Sequence, residues 1–344
     1  MVSKTEQRKI DHIKLCVEKD VAFDKKTTLL EDVELNYKTL PEISLEEVNL
    51  STQLLGKEFS FPFLASAITG GAQVSKKINF DIAKACQEFG IGMGLGSMRA
   101  MLENPKIKDT YNVKSVAPEI FVAGNIGVAQ LRSYSTQEVN SVIESLNLDA
   151  LAIHLNAAQE AMQPEGDVNF SNLIEKIDEF SKEVCVPVYA KEVGHGISFE
   201  VASKLEQTNI QAIDVQGAGG TSWTRVDALR HKGSFGSVFR DFGLPTAVSI
   251  IETKNAFTKQ IIASGGIRNG LDAVKGIILG ASMSGAAMPV LQAQQKSYKS
   301  LQNFFSNFKN EMEITSFLLG CKNIEELHRQ NYVVLGKLKE WLNQ

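Results

Sequence analysis

The segment ALAIHLNAAQE, residues 150–160, decides how the rest of the chain is interpreted. Its first four residues form an apolar run that is typical of a buried strand. His154, Asn156, Gln159 and Glu160 follow closely, and no glycine or proline interrupts them. Parallel α/β folds keep their chemistry at the carboxyl ends of strands, so these side chains are candidates for an active site. The competing interpretation is a solvated turn in which Asn156 caps the next helix.

Composition places the chain among ordinary globular proteins. Its 344 residues are 43% hydrophobic and 22% charged, which suits one large barrel or two average domains. The formal net charge of -4 comes without a polybasic cluster, so we expect no nucleic-acid or membrane partner held by bulk charge. The N-terminal sequence lacks the apolar core of a signal peptide, and no apolar stretch is long enough to span a bilayer. We therefore expect a cytoplasmic protein.

The four cysteines, Cys16, Cys86, Cys185 and Cys321, are scattered along the chain. They form no Cys-x-x-Cys pair and have no pair of histidines nearby, which argues against a zinc site and against a disulfide framework. We expect thiols that fill the core.

Short apolar runs recur along the chain, with helical patterns between most of them. Eight such runs are Phe63–Ala65, Ile91–Leu95, Ile120–Ala123, Ala150–Ile153, Val186–Ala190, Ala212–Val215, Gln260–Ala263 and Ala281–Ser284. Apolar residues at helical spacing occupy Lys76–Phe89, Gln137–Leu146, Leu173–Val184, Phe199–Glu206 and Gly270–Leu279. Repeated β-α units of this number predict an α/β fold, the closed (β/α)8 TIM barrel. An open doubly wound sheet would have fewer strands and a Gly-rich loop after its first strand.

The segments outside the repeats complete a single domain over residues 1–344. Residues 1–60 precede the barrel as an N-terminal lid or cover, residues 61–290 form the barrel, and residues 291–344 form a helical tail. Within the cover, Ser3–Lys19 is amphipathic. The following part, Thr28–Thr52, has an irregular or short-stranded pattern.

In the tail, Val290–Phe308 and Ile324–Leu342 have helical patterns, and Gly320 is a natural helix stop between them. The long stretch Trp223–Leu244 shows no clear element, so it is either mobile or an interface.

A barrel collects its site at the carboxyl ends of its strands. The segments that follow the eight predicted strands are Ala67–Gly71, Gly96–Arg99, Gly124–Gly127, His154–Glu160, Lys191–Gly196, Gln216–Trp223, Ser264–Gly270 and Gly285–Met288. Glycines after strands seven and eight let backbone N–H groups approach a phosphate, and Arg268 adds a charge-assisted bond. Alternatively, Gly265 and Gly266 only form a tight turn. Glycine clusters after four of the strands together favour a cofactor across the barrel mouth.

Two charged residues near strand ends are candidates for ligand or metal binding. Lys191 faces the mouth, which is costly unless an anion or an electron-rich ring meets it. It suits a Schiff base or the anionic edge of a flavin, with a surface lysine as the alternative. Glu160 is the metal candidate, because one carboxylate with a substrate phosphate is a typical Mg²⁺ site. The alternative is an ordinary glutamate in the first turn of a helix. Thr69, Ser97 and Asn125 offer hydrogen bonds to a planar heterocycle or are turn residues.

In this order on one barrel, the motifs resemble those of the FMN-dependent type 2 isopentenyl-diphosphate isomerases. The resemblance rests on Arg8-Lys9-Ile10-Asp11-His12, Ile68-Thr69-Gly70-Gly71, Gly96-Ser97-Met98-Arg99, His154-Leu155-Asn156 with Gln159-Glu160, Lys191-Glu192-Val193-Gly194, Gly219-Gly220-Thr221 and Ser264-Gly265-Gly266-Ile267-Arg268. Two positions depart from the family pattern. Gln216 stands where a serine is more usual, and Ile68 replaces a common methionine. We expect only small changes in flavin contacts from these.

The resemblance implies a set of ligands. The FMN phosphate would lie at Gly265, Gly266, Arg268, Ala286 and Ala287, and the FMN ring would be held by Ala67, Ile68, Thr69, Ser97, Asn125, Lys191, Gln216 and Thr221. The substrate would be bound by Arg8, Lys9, His12, Arg99, His154, Asn156 and Gln159. Glu160 would bind Mg²⁺ on the diphosphate. Gln159 would lie beside the reacting carbons, with His154 and Asn156 as the other catalytic residues.

The activity implied by the resemblance is the interconversion of isopentenyl and dimethylallyl diphosphate in isoprenoid biosynthesis, without net redox change. FMN reduced by NAD(P)H would act as acid and base, in a homo-oligomeric tetramer or octamer. Arg8 and Lys9 would belong to a lid that closes on the diphosphate. A solvated basic terminus is the alternative for these two residues.

Three other functions fit parts of the pattern. An FMN-dependent 2-hydroxy acid oxidase uses an active-site histidine with arginines after the later strands. Arg225, Arg230 and His231 follow strand six, but no His-Gly-Gly-Arg run is present. An IMP-dehydrogenase-like enzyme needs a nucleophilic cysteine in a Gly-rich loop, where this chain has none. A non-catalytic flavin-binding or phosphate-binding barrel would not explain the polar cluster at 154–160.

Overall fold

The structure is a computed structural model that describes residues 4–231 and 238–343. Before the barrel lie the helix α1 (Lys4–Glu18) and the short strands β1 (Val33–Leu35), β2 (Thr52–Leu54) and β3 (Lys57–Phe59). The strands β2 and β3 form an antiparallel hairpin. The amphipathic first helix and the short-stranded cover therefore agree with the prediction.

Eight parallel strands in the described part of the chain close into a barrel, as predicted. They are β4 (Phe63–Ala65), β5 (Gly92–Gly94), β6 (Val122–Gly127), β7 (Ala150–His154), β8 (Val188–Lys191), β9 (Ala212–Asp214), β10 (Gln260–Ser264) and β11 (Met283–Ala286). The last strand closes the ring on the first through the pairing of Ser284 with Phe63. Almost every barrel residue is buried, because helices cover the outside and side chains fill the inside.

Helices follow the strands on the outside of the barrel. They are α2 (Gln73–Phe89), α3 (Arg99–Glu103), α4 (Thr136–Leu146), α5 (Ala157–Met162), α6 (Leu173–Glu183), α7 (Phe199–Glu206), α8 (Trp223–His231), α9 (Thr246–Ala256), α10 (Gly270–Ile278) and α11 (Met288–Lys296). The five helical patterns seen in the sequence all form helices. Local signals explain their starts: Ser135 and Glu138 form a capping box at the beginning of α4.

The segment Trp223–Leu244, for which no element was predicted, contains the helix α8. Its residues 232–237 lie outside the described part of the chain. Polar residues interrupt the apolar spacing of α8, which explains why periodicity did not reveal the helix.

The C-terminal tail also differs from the prediction. Ser297 separates α11 from α12 (Tyr298–Leu318), and Gly320, with φ of 64°, ends α12 as predicted. The pattern over Ile324–Leu342 is not one helix, because it divides into α13 (Ile324–His328), β12 (Tyr332–Val334) and α14 (Gly336–Leu342). The strand β12 pairs with β1. That long-range pairing, together with the β propensity of its residues, overrides the helical pattern.

Two barrel strands extend further toward the mouth than predicted. The strand β6 continues to Gly127, which pairs with His154, so Asn125 lies within the strand and not after it. The strand β11 begins at Met283 and includes Gly285 and Ala286. Both shifts move cofactor candidates from a loop onto a rigid strand.

The register of the sheet fixes the polar residues at the mouth. His154 on β7 pairs with Lys191 on β8, and Lys191 pairs with Asp214 on β9. Neighbouring strands are about 4.8 Å apart, so three titratable side chains lie in one row at the carboxyl end of the barrel.

The cysteines are free thiols. Cys16, Cys86 and Cys321 are buried as expected, whereas Cys185 is exposed, so the expectation is wrong for that residue. It lies in the turn between α6 and β8, where no core surrounds it. None of the described helices is long and apolar enough to cross a membrane.

An aromatic cluster ties the first barrel strand to the tail. The ring centroids of Phe63 and Phe308 are 4.5 Å apart, and Phe304 and Phe305 pack against the same Phe63 ring. Phe63 and Phe308 are almost completely buried. The tail therefore forms part of the core of the domain.

We expect Phe63→Ala to lower the free energy of unfolding by about 3–5 kcal/mol, because it opens a cavity in this cluster. Urea unfolding followed by far-UV circular dichroism measures the change. Phe242→Ala is the control, since Phe242 is 64% exposed, and its effect should stay within about 0.5 kcal/mol. Equal losses for the two variants would contradict the assignment of Phe63 to the core.

Candidate active site at the barrel mouth

A deep cavity opens at the carboxyl ends of the barrel strands. The empty space within it, including the open solvent at its mouth, is about 1590 Å³. All residues assigned by sequence to cofactor, substrate or metal line this cavity. The structure thus brings the whole set together, while their individual roles remain predictions.

The polar cluster after β7 is held by Asn156. Its side chain makes no capping bond to α5; instead, its amide donates to Gln159 Oε1 at 3.3 Å and to Glu160 Oε1 at 2.8 Å. Asn156 stands at the N-cap position, but the interpretation of its side chain as a helix cap is wrong. Its buried amide orients two neighbouring side chains toward the cavity.

Glu160 is positioned from both sides. In addition to the bond from Asn156, its Oε2 accepts a hydrogen bond from the backbone N–H of Asp167 at 2.8 Å. Each carboxylate oxygen keeps a further lone pair, so the group is oriented and still able to bind a cation. The described residues contain no cluster of three or more potential metal ligands. A metal ion at Glu160 would therefore need ligands from water and substrate, as Mg²⁺ commonly has.

His154 is held in one tautomer by Asn125. The Asn125 amide donates to the carbonyl of Leu95 at 3.1 Å, which leaves its Oδ1 to accept from His154 Nδ1 at 2.7 Å. Burial, together with the ammonium of Lys191, lowers the pKa of His154 to about 3. The ring is therefore neutral, with its proton on Nδ1 and a lone pair on Nε2. To donate to a phosphate oxygen through Nε2, His154 must first take up a proton.

The helix α1 lies over the mouth and brings its basic residues into the cavity. Lys9 Nζ donates to the carbonyl of Ser97 at 2.9 Å and to the hydroxyl of Tyr111 at 2.8 Å. Arg8 Nη1 donates to Gln163 Oε1 at 3.3 Å. The two residues thus do not form the solvated basic terminus that was the alternative.

A second set of contacts fastens the helix. His12 Nε2 lies 3.0 Å from Asp227 Oδ1, and the His12 ring packs edge-on against Trp223 at 5.1 Å. Asp227 Oδ2 also accepts from Gln163 Nε2 at 2.9 Å. Burial raises the pKa of Asp227, but the hydrogen bonds from His12 and Gln163 outweigh it and keep the pKa below its usual value.

Sequence reasoning missed Asp227, Gln163 and Tyr111. Each acts through a partner that is distant in sequence, and none belongs to a glycine-rich strand end. Asp227 lies among the polar residues of α8, but because no helix was predicted there, the sequence did not indicate which residues it would contact.

Positive charges converge on one side of the cavity. Burial and the neighbouring Arg99 lower the pKa of Arg8, and burial and Arg8 lower the pKa of Lys9 to about 7. Arg99 is paired with Glu103 at 2.8 Å. Cations that disfavour one another in a partly dehydrated cleft are stabilised by an anion between them, so this side of the cavity is suited to a phosphate or diphosphate.

The opposite side of the cavity is built from tightly packed glycine loops. Gly265 and Gly266 have φ of 94° and 72°, and a Cβ on Gly266 would lie 2.4 Å from Thr28 Cγ2. Any other residue would push the loop after β10 away from its neighbours. Packing therefore requires these glycines, and the turn interpretation accounts for part of their presence.

Observations on this side also fit a bound FMN. Ser66 Oγ is buried at the cavity wall and has no hydrogen-bond partner within the described structure. The exposed Arg268 borders the cavity, and Asp272 accepts from its backbone N–H at 3.1 Å. A phosphate near Arg268 and Gly266 and a polar heterocycle near Ser66 would use groups that the protein leaves available.

The floor of the cavity carries buried charges. Lys191 is only 4% exposed, and its Nζ donates to the backbone carbonyl of Glu192 at 2.6 Å. The alternative of a surface lysine is therefore wrong. Asp214, which sequence reasoning missed, is 1% exposed and accepts from Gln216 and Ser264. An aspartate within the apolar run Ala212–Val215 was the signal, because buried carboxylates need a specific partner.

A family model and curated relatives both match most of this chain. A family model described as FMN-dependent dehydrogenase matches residues 2–108 and 149–334. Curated relatives named isopentenyl-diphosphate delta-isomerase include the proteins of Methanosarcina mazei and Archaeoglobus fulgidus, each 42% identical to this chain. The first alignment covers 100% of this chain and 96% of the relative, and the second covers 98% and 99%.

Solved structures share the fold at much lower identity. A mandelate oxidase is 14% identical with a TM-score of 0.65, and the match covers 94% of this chain and 95% of the oxidase. A lactate oxidase of Pediococcus acidilactici is 14% identical with a TM-score of 0.69, covering 96% and 94%. At this identity the likeness concerns the fold alone.

We expect α1 to dock more firmly as the pH rises in the absence of ligands. Docking lowers the pKa of Lys9 from its ordinary 10.5 to about 7, so the undocked state binds more protons between these values. Stability of the docked state therefore increases from pH 7 upward, and it is weakest below pH 7. Limited proteolysis within α1, normalised to cleavage of a free peptide of the same sequence, measures the effect.

The expected result is cleavage that slows between pH 7 and pH 10 in the wild type and loses this dependence in Lys9→Met. Lys14→Met is the matched control, because Lys14 lies exposed on the same helix, and it should behave as wild type. A pH dependence that survives in Lys9→Met would contradict the role of Lys9.

Proposed function

The chain belongs to the FMN-dependent isopentenyl-diphosphate delta-isomerase family, and we propose on this premise that it interconverts isopentenyl diphosphate and dimethylallyl diphosphate. The observation that carries the proposal is one cavity with two unlike sides. Basic residues of α1 and Arg99 line the first side, and glycine loops with Lys191 line the second. A phosphorylated substrate and a flavin fit these sides together.

The diphosphate is the group that the basic side is suited to hold. Arg8, Lys9 and Arg99 supply the charge, and their partial burial strengthens each contact with an anion. His154 adds a donor once it takes up the proton that a nearby dianion favours. Mg²⁺ on Glu160 would neutralise further charge on the diphosphate oxygens.

The isomerisation adds a proton to the terminal alkene carbon of isopentenyl diphosphate and removes one from C2. Reduced FMN, when bound, supplies an electron-rich surface and an acid and base beside these carbons. Gln159, oriented by Asn156, lies at the cavity wall where it can keep the hydrocarbon end in place. The seated α1 excludes water, which would otherwise trap a cationic hydrocarbon.

Further parts of the proposal have support from family membership alone. FMN would be reduced by NAD(P)H, and the enzyme would act in the cytoplasm as a homo-oligomer, a tetramer or an octamer. No nucleic-acid or membrane partner is part of the proposal.

The geometry does not favour a 2-hydroxy acid oxidase. Arg225 pairs with Asp24 at 2.6 Å, and Arg230 pairs with Glu165. Neither arginine lines the cavity, whereas an oxidase of this class needs free arginines for the substrate carboxylate. The side chain of His231 lies outside the described part of the chain.

The direct test of the proposal is an anaerobic assay. The protein is incubated with isopentenyl diphosphate, FMN, Mg²⁺ and NADPH, and the products are separated by chromatography. We expect dimethylallyl diphosphate to accumulate to an equilibrium mixture, and none to form with oxidised FMN and no reductant. Absence of the product in the complete mixture would sink the proposal.

We expect Glu160→Gln to reduce kcat/KM by about two orders of magnitude or more, because even the loss of an outer-shell partner of a metal ion typically costs about 10–100-fold and Glu160 would bind the ion directly. The visible spectrum of bound FMN should stay unchanged, because Glu160 lies on the diphosphate side. Glu175→Gln, an exposed change in the first turn of α6, is the control with wild-type activity. Loss of FMN together with activity would instead assign Glu160 a role in folding.

A further inference from the structure

A buried lysine and a buried aspartate lie on neighbouring strands at the floor of the cavity. Lys191 on β8 and Asp214 on β9 are register partners, and they are 4% and 1% exposed. Lys191 lines the cavity, whereas Asp214 lies behind the lining. Because Asp214 does not line the cavity, any effect of its carboxylate on a bound ligand passes through a neighbouring side chain.

The carboxylate of Asp214 is held by two side chains that do line the cavity. Ser264 Oγ donates to Oδ1, and Gln216 Nε2 donates to Oδ2 at 2.9 Å. Gln216 has φ of 39°, a backbone conformation that is uncommon for residues other than glycine. The bond to Asp214 gives this strained residue a fixed side-chain position and explains why a longer residue than serine is accommodated here.

Glu192 and His154 also lie near Lys191, and the charge of Glu192 raises the pKa of Lys191 less than that of Asp214 does. The carboxylate of Glu192 is bound back by three backbone N–H groups of its own loop, those of Val193, Gly194 and His195. On β7, the buried ring of His154 is neutral. Asp214 is thus the carboxylate that a packed neighbouring strand places in register with Lys191.

We propose that Asp214 is the buried counter-ion that keeps Lys191 protonated at the flavin end of the cavity, and that Gln216 and Ser264 position it. The proposal rests on the proposed function in one respect, since it places a flavin over Lys191. Asp214 is therefore a positioning residue. Burial lowers the pKa of Lys191, and the charges of Asp214 and Glu192 offset part of this effect. Burial likewise raises the pKa of Asp214, and the charge of Lys191 opposes that rise.

The consequence concerns proton uptake during reduction of the flavin. In the wild type, Lys191 keeps its proton in both redox states. In Asp214→Asn, burial without a counter-ion leaves Lys191 neutral beside oxidised FMN. When dithionite delivers two electrons to the flavin, negative charge develops above Lys191, and the amine then binds one proton from solvent in addition to those that the flavin takes.

The first experiment titrates the FMN-loaded enzyme with dithionite between pH 6 and pH 9 and measures the slope of midpoint potential against pH. We expect Asp214→Asn to take up one proton more per two electrons than the wild type. The extra proton should disappear in Asp214→Asn/Lys191→Met. Asp149→Asn is the control with wild-type stoichiometry, because Asp149 pairs with Lys57 and Lys114 at the opposite end of the barrel. Equal stoichiometry in wild type and Asp214→Asn overturns the proposal.

The second experiment needs neither FMN nor activity. Urea unfolding of the apoprotein compares wild type, Asp214→Asn, Lys191→Met and the double variant. We expect the double variant to recover part of the stability lost in Asp214→Asn, because no charge is then buried alone. A single variant that fails to fold while the double variant folds also indicates that the two residues are coupled. Additive losses, or failure of both to fold, overturn the proposal.

The unfolding experiment and the isomerase assay distinguish failure of the counter-ion role from failure of the proposed function. Coupling between Asp214 and Lys191 in a protein without isomerase activity would retain the counter-ion role of Asp214 and reject the function. Additive losses in an active isomerase would reject the counter-ion role and retain the function.

Discussion

The hydrogen-bond register of a closed parallel barrel is the constraint on which the rest of this structure depends. It aligns His154, Lys191 and Asp214 on consecutive strands at one end of the barrel. Three titratable groups in one row, largely removed from water, cannot all be charged without partners. Burial beside Lys191 keeps His154 neutral, Asn125 fixes its tautomer, and Asp214 is in register with Lys191. The cavity therefore presents a neutral acceptor beside a buried cation.

The same reasoning explains the N-terminal helix. Its basic residues lie close to Arg99 in a partly dehydrated cleft, and burial lowers the pKa values of Arg8 and Lys9. Such a cleft is incomplete without an anion. Contacts with Asp227 and Gln163, which carry no positive charge, fasten the helix and offset part of the electrostatic repulsion between the buried basic residues. A diphosphate would supply the missing charge and at the same time close the site to water.

The barrel could be predicted from the sequence alone, because each of its strands is an apolar run with a local boundary. The residues that line the cavity could also be predicted, because the strand ends of a closed barrel converge regardless of the conformation of the loops. The sequence did not predict β12, because this strand forms by pairing with β1, about 300 residues earlier in the chain. It missed Asp227 and Tyr111, which matter through partners about a hundred residues or more away in sequence. Asp214 carried a visible signal, a charge within a buried strand, but its partners became clear only from the register.

We propose that proton transfer to and from the substrate carbons takes place in this cavity, with reduced FMN as acid and base. Deuterium incorporation measures this directly. Isopentenyl diphosphate is incubated anaerobically in D₂O with the enzyme, Mg²⁺ and dithionite-reduced FMN, and both isomers are recovered for mass spectrometry. We expect deuterium in dimethylallyl diphosphate and in the recovered isopentenyl diphosphate. Unlabelled isomers, or an oxidised product in their place, would contradict it.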